Sequence, residues 1–420
     1  MIASTTSGGL ALLGAALLAL SGCHDKSDHA DPPLVDMVQA PHAAPTCSPD
    51  AWPGYGHDRG RTGATPACCK GPLKVLWRFS LPSSGVATHA IATQDAVYVA
   101  GQAGDSPALY RVSLSGKLAW SFDSHADATR ARWPDAALGR VILSDDGFFW
   151  LSPETGKRVG PHWLDLWGQT LGDGKRLYAV NELHLDGPGV FVGAFDRNVK
   201  PLWKTNKYIK KRGRLDVLGA IALDGGTLYQ AALFKGASLS GLYALDPASG
   251  KRRWAQRVYP DSAVSAKRRR LFLVEIDWRS KRTLFARKQS NGSALWSVPV
   301  DDTDHQAPVI AGDRVITYGP KSGIVARDVK TGKTLWKAGL IVPGNDRPGY
   351  STALAAALGS HTLVAASGPQ LAVLSLDSGH VDWKGHVDSL LGDLHSPVIA
   401  GGRVYVVSHG KLLALSCKAP

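Results

Sequence analysis

The chain is short of the patterns that mark catalytic and metal centres. It has 5 Cys and 14 His in 420 residues. None of them falls in a zinc-ligand spacing or in the Cys-x-x-Cys-His pattern of covalent haem. There is no His-Glu-x-x-His, Gly-x-Ser-x-Gly or phosphate-loop segment, so metalloprotease, serine-hydrolase and nucleotide chemistries lack their signatures. The paired acids Asp145-Asp146 and Asp301-Asp302 sit at turn positions without visible partners. Helical periodicity is weak beyond the N-terminus. The apolar run at residues 8–20 is too short to span a bilayer comfortably, and residues 2–19 lack the Lys or Arg that normally opens a signal peptide.

What the chain has is a repeat. Ile324-Val-Ala-Arg-Asp-Val-Lys-Thr-Gly-Lys-Thr-Leu-Trp336 reads as strand, tight turn and strand, with Gly332 supplying the positive φ of the turn. The same Gly-x-x-x-Trp tail recurs at Gly116–Trp120, Gly250–Trp254, Gly292–Trp296 and Gly379–Trp383. Two copies are degenerate: Gly156 is followed by Gly160 where Trp is expected, and Asn198 replaces the turn Gly before Trp203. Trp77 closes a further strand, 73–80, that has no hairpin before it. Further strand signals between the anchors, as in 307–317 and 396–406, give four strands per unit. A period of 40 to 50 residues with several short strands per unit predicts propeller blades. The units number eight if the lone strand 73–80 becomes the outer strand of the last, incomplete unit, which also removes two open sheet edges. The fold expected is all-β: an eight-bladed β-propeller of four-stranded antiparallel blades, ring-closed by an N-terminal strand.

Ala244-Leu-Asp-Pro-Ala-Ser-Gly-Lys-Arg-Arg-Trp254 and Ala326-Arg-Asp-Val-Lys-Thr-Gly-Lys-Thr-Leu-Trp336 resemble the repeat of quinoprotein-type (PQQ-like) propellers. The likeness covers roughly 52–417. It implies that Trp77, Trp120, Trp203, Trp254, Trp296, Trp336 and Trp383 dock against neighbouring blades. Trp52-Pro-Gly-Tyr-Gly-His-Asp58 is similar to the lead-in of quinoprotein dehydrogenases, although packing across one face of the ring is the simpler role.

Leu20-Ser-Gly-Cys23, after the apolar run, resembles a bacterial lipobox. That likeness implies cleavage before Cys23, acylation of Cys23, and, with His24 following, sorting to the outer membrane. The organisation expected is a lipoprotein signal peptide at 1–22, lipidated Cys and tether at 23–51, and one propeller at 52–420. The Pro-rich tether spans on the order of 30 Å as a flexible coil.

Four cysteines remain, Cys47, Cys68, Cys69 and Cys417, enough for two disulfides in an exported chain. If 73–80 runs antiparallel to 411–416, Cys417 falls near Cys68 or Cys69, and Cys47 takes the other. The rival is a vicinal Cys68–Cys69 bond, which the resemblance to quinoprotein alcohol dehydrogenases implies.

The chain carries a net charge of +13, and residues 200–288 hold 21 Lys and Arg against 6 Asp and Glu. The runs include Lys210, Lys211, Arg212, Arg214, Arg252, Arg253, Arg268, Arg269 and Arg270, at or near turns. They are read either as solvated loops or as a basic side for an anionic lipid, envelope polymer or acidic protein. Nucleic acid is not expected, since no aromatics interleave with the runs. His89, His305 and His395 each precede a first strand and could share one mouth of the ring.

These features also resemble the propeller lipoprotein of the outer-membrane β-barrel assembly machinery. The expectation is a monomeric, non-catalytic scaffold for envelope proteins, facing the periplasm from a lipid anchor in the outer membrane, with no cofactor. The alternatives are a dehydrogenase using PQQ with calcium and a binder of an anionic envelope polymer.

Overall fold

In a computed structural model the repeats fold into eight sheets. It describes residues 47–48, 50–82, 87–103, 106–124, 134–145, 147–160, 169–180, 192–205, 215–217, 221–234, 240–301, 306–339, 352–386, 395–408 and 410–418. All of them belong to one unit, Pro45–Pro420. Blade 1 comprises His89–Ala92, Ala96–Ala103, Ser106–Ser113 and Leu118–Asp123, hydrogen-bonded in sequence order. Blades 3 to 7 repeat that meander, from Thr170–Gly172 in blade 3 to Val381–His386 in blade 7. The expected helix poverty holds, with one 3-10 turn, Leu358–Ser360, among the described residues.

Blade 8 closes the ring. Its first three strands, His395–Ala400, Arg403–Ser408 and Lys411–Lys418, come from the C-terminus, and its fourth is Lys70–Ser80, antiparallel to Lys411–Lys418. First strands touch first strands from blade 2 round to blade 8, and that of blade 8 touches that of blade 1. First strands therefore line the axis. The inner strands have a blade on either side and are buried on both faces, as Thr362–Ser367 shows. Outer strands such as Arg252–Arg257 alternate between exposed and half-buried positions.

The apolar core is split into layers between blades. At each regular junction the anchor Trp of one blade lies on the turn Gly of the next. A Cβ at Gly116 would come 2.8 Å from Trp77, at Gly250 2.4 Å from Trp203, and at Gly332 2.7 Å from Trp296. The indole N–H also donates to a carbonyl of that turn: Trp77 to Leu114, Trp120 to Pro153, Trp203 to Pro247, Trp254 to Gln289, Trp296 to Val329 and Trp336 to Leu376, at 2.8 to 3.2 Å. A ring from the second strand of the same blade packs behind five of these Trp, as Tyr229 does behind Trp254 at 6.0 Å between centroids.

Trp383 has no covalent turn to dock on, because the chain breaks there. Gly71 takes the place, with a Cβ position 2.5 Å from Trp383. The break beside it is bridged by a Cys69–Cys417 disulfide, and Cys47 is bonded to Cys68. The vicinal Cys68–Cys69 bond is thereby ruled out.

Blades 2 and 3 depart from the pattern together. Blade 2 is three-stranded, its fourth strand reduced to a Leu151–Arg158 bridge. Its anchor position is Gly160, and the facing turn of blade 3 has no glycine. The positive φ falls on Val199, at 65°, rather than on Asn198 as the sequence suggests. The turn has the short form also found in blade 1, the Asp196 N–H reaching the Lys200 carbonyl as that of Ser113 reaches Lys117, so its length does not set this junction apart. Trp150 fills the junction instead, in a layer with Ile142, Phe148, Phe195 and Val199. Its indole N–H is buried without a partner, unlike those of the six anchors named above.

Candidate functional site

Residues 50–67 carry the most unusual geometry. They have little regular structure, so their peptide groups need partners elsewhere. They find them on the ring, where first strands turn into second strands. Trp52 pairs with Ala92 of blade 1, and the Pro53 carbonyl accepts from Ala136 of blade 2. Carbonyls of Arg59, Gly60, Thr62 and Gly63 accept from Leu223, Ala266, Ile310 and Ala356 of blades 4, 5, 6 and 7. Arg61 donates to the Thr170 carbonyl of blade 3, and Gly401 of blade 8 donates to the Asp50 carbonyl. The segment touches all eight blades and crosses the axis at one mouth. Gly60 allows the closest pass, since a Cβ there would lie 2.2 Å from the Ala266 carbonyl oxygen.

Its ends are fastened to each other. The Asp50 carboxylate accepts from His57 Nε2 at 2.6 Å and from the Thr65 hydroxyl at 3.0 Å. The bond from His57 holds the Asp50 carboxyl below its usual range. Asp58 accepts from both the amide and the hydroxyl of Thr62. Cys47 and Asp50, expected in the tether, are thus tied to the propeller.

At the centre is a buried ionisable pair. Arg61 is 2% exposed and donates to the carbonyls of Tyr55, Thr170 and Ile221. Asp135 is 6% exposed and accepts from the Thr170 hydroxyl at 2.8 Å. Burial pushes the Asp135 carboxyl up to about 6, although the nearby Arg61 charge pulls it down. Burial likewise lowers Arg61. Beside the pair opens a cavity of about 920 Å³, lined by the segment and by blades 2 to 5. The sequence marks Arg61 and Asp135 only as one residue in a Gly-rich lead-in and one acid among many.

The opposite end of the strands differs. There the hairpin tip between Arg270–Ile276 and Arg282–Lys288 of blade 5 holds Trp278 at 84% exposure. The tip is braced: Ser280 N–H donates to the Asp277 carbonyl, and Asp277 Oδ1 accepts from Arg279 and Lys281 amides at 2.8 Å. The Arg279 guanidinium stacks on the indole, 4.4 Å from its centroid. Tyr259, also exposed, joins the tip through its carbonyl, which accepts from Ile276 N–H.

The residues singled out by sequence are not gathered into one centre. His89 and His395 begin the first strands of blades 1 and 8; His305 and Cys23 lie outside the described residues. Lys210, Lys211, Arg212 and Arg214 also lie outside them. Arg252, Arg253, Arg268, Arg269 and Arg270 fall at the plugged end of blades 4 and 5, Arg268 and Arg269 on a turn and the others at the start of strands, with Arg253 paired to Asp246 at 2.7 Å. Among the described residues no three His, Cys, Asp or Glu side chains are close enough to hold a metal ion.

The family model described as outer membrane protein assembly factor BamB matches residues 166–347 and 238–418, together more than half of the chain. The chain belongs to this family. No curated protein matches it by sequence. BamB from Moraxella catarrhalis is similar in structure, at 16% identity and a TM-score of 0.59, over 83% of this chain and 99% of that one. A quinohemoprotein alcohol dehydrogenase from Comamonas testosteroni matches at 14% identity and 0.64, over 90% and 82%. The computationally designed protein Ika8 matches at 12% and 0.60, over 82% and 99%. An assembly factor, an oxidoreductase and a designed protein share this ring, so these likenesses carry the fold and no activity. Membership of the BamB family rests on the sequence match alone.

Proposed function

We propose that the chain is a non-catalytic scaffold of the outer membrane's periplasmic side, anchored through acylated Cys23 and binding other envelope proteins. The observation that carries this reading is the family match across 166–418. The geometry supports it. The lead-in plugs one mouth of the ring, and the other end presents a braced, exposed Trp278 flanked by Arg279 and Lys281. A rigid aromatic beside cations is the anchor that protein interfaces favour. In-cell crosslinking followed by purification tests it: a discrete envelope complex that Trp278→Ala weakens is expected, and an uncomplexed chain refutes it.

The structural likeness to a quinohemoprotein dehydrogenase motivates one further titration, with PQQ and calcium, read by tryptophan fluorescence and dye-linked alcohol oxidation. Neither quenching nor turnover is expected. Saturable quenching with turnover would replace the scaffold reading by an enzymatic one.

A further inference from the structure

The turn between Ser265–Lys267 and Arg270–Ile276 carries two consecutive left-handed residues, Arg268 at φ 50° and Arg269 at φ 64°. The equivalent turns of blades 4 and 8 use Gly225-Gly226 and Gly401-Gly402, and that of blade 2 uses Leu138-Gly139. A left-handed backbone is free for glycine and strained for arginine. Strain held in place by a fold points to a use for the side chains. Both arginines are exposed, and neither forms an ion pair among the described residues.

They do not stand alone. The turn between third and fourth strands places an exposed Lys directly after its last residue in five blades: Lys117, Lys157, Lys200, Lys251 and Lys333. These turns share a face with the Arg268–Arg269 turn. The Gln289 amide donates to the Arg269 carbonyl, its side chain to Asp224 at 2.7 Å, and Arg403 reaches the Leu114 carbonyl at 2.8 Å. The acids of this face are engaged internally. Asp246 and Asp328 accept amides of their own turns, and Asp224 holds Gln289. Cys47, the first described residue, is held at the same face. Cys47 is bonded to Cys68, whose sulfur packs on Gly359, between the first two strands of blade 7.

We propose that this face docks on anionic phospholipid headgroups, the Arg268–Arg269 turn and the lysine rim contacting phosphates while the opposite end faces the periplasm. It deepens the reading above, since the anchor would hold the same face at the bilayer. Each cation near an anionic surface adds a modest, salt-screened attraction, and several together fix an orientation.

The test uses the full chain as cells produce it, placed on nanodiscs of phosphatidylcholine alone or with about 30% phosphatidylglycerol. Lysine acylation is followed by mass spectrometry. Labelling of the five rim lysines should slow by about threefold or more on the anionic discs, with protection lost in about 0.5 M salt. Lys281, at the opposite end, should label equally on both. Replacing Arg268 and Arg269 by Gly relieves backbone strain, so the protein stays folded, yet protection should fall. Retention on both discs with equal rim labelling overturns the docking and leaves the anchor standing. Retention on anionic discs alone supports docking and refutes the anchor. Loss from both refutes both.

Discussion

At one end of the inner strands the polypeptide crosses its own axis, and residues 50–67 tie all eight blades together; at the other, the described residues expose Trp278 on a braced hairpin. The first end is made almost wholly of backbone hydrogen bonds, a buried Arg61–Asp135 pair and two disulfides. The second is marked by one aromatic side chain and the cations beside it. A closed propeller needs only its outer strand to complete the ring. The additional fastening of one end suits a body that must keep its shape while its other end binds. Damage to the plug itself should therefore lower stability, and damage at the Trp278 end should change binding alone.

The largest effect is expected at the closure. Cys69→Ser with Cys417→Ser opens a link between residues 348 apart in sequence. Loss of about 4 kcal/mol is expected by denaturant unfolding, as for other long-loop disulfides. A change below about 1 kcal/mol would mean that strand pairing alone closes the ring. Next comes Arg61→Met, which strips three carbonyls of their donor and leaves Asp135 buried without its countercharge. A loss of about 3 kcal/mol is expected, together with faster hydrogen exchange at Ala266, Ile310 and Ala356. The same measurements on Trp278→Ala should show no loss beyond about 0.5 kcal/mol.

A smaller effect separates the regular junctions from that of blades 2 and 3. Trp254→Ala removes a docked ring and its hydrogen bond to Gln289, and about 2 to 3 kcal/mol should be lost. Trp150→Phe keeps an aromatic but removes an N–H that has no partner. It should cost less than about 1.5 kcal/mol, and a cost equal to that of Trp254→Ala would contradict the proposed difference.

The plug also carries a pH effect. The Asp135 carboxyl, near 6 when folded, lies above its unfolded value. The folded state therefore holds the proton more tightly, and the stabilisation from this group is complete below the unfolded value. It is lost as pH rises from about 4 to about 6 and stays constant above that. Asp135→Asn should remove this slope from the stability profile between those limits. An unchanged profile would show that Asp135 titrates normally.

The ring was legible in the sequence because its devices are side chains at fixed spacing. A Gly four residues before a Trp recurs often enough to number the blades, and the lone strand ending near Trp77 shows where the circle closes. The disulfide partner of Cys417 followed from strand direction to within one residue. The plug was not legible, because carbonyls of Arg59, Gly60, Thr62 and Gly63 do its work and any residue has a carbonyl. Arg268 and Arg269 were legible as charge but not as strain. Strain shows only when their φ angles are set against Gly225-Gly226 and Gly401-Gly402. The losses at Gly160 and Asn198 are visible singly in sequence; that they face each other, and that Trp150 replaces the missing contact, needed the fold.

The most direct test of the two-ended account is site-specific photocrosslinking in cells, with a photoreactive phenylalanine at Tyr259 in one strain and at Arg268 in another. The account predicts that position 259 captures a discrete envelope protein, identified by mass spectrometry and lost with Trp278→Ala, while position 268 captures phospholipid. The same protein captured at both positions, or phospholipid at 259, would contradict it.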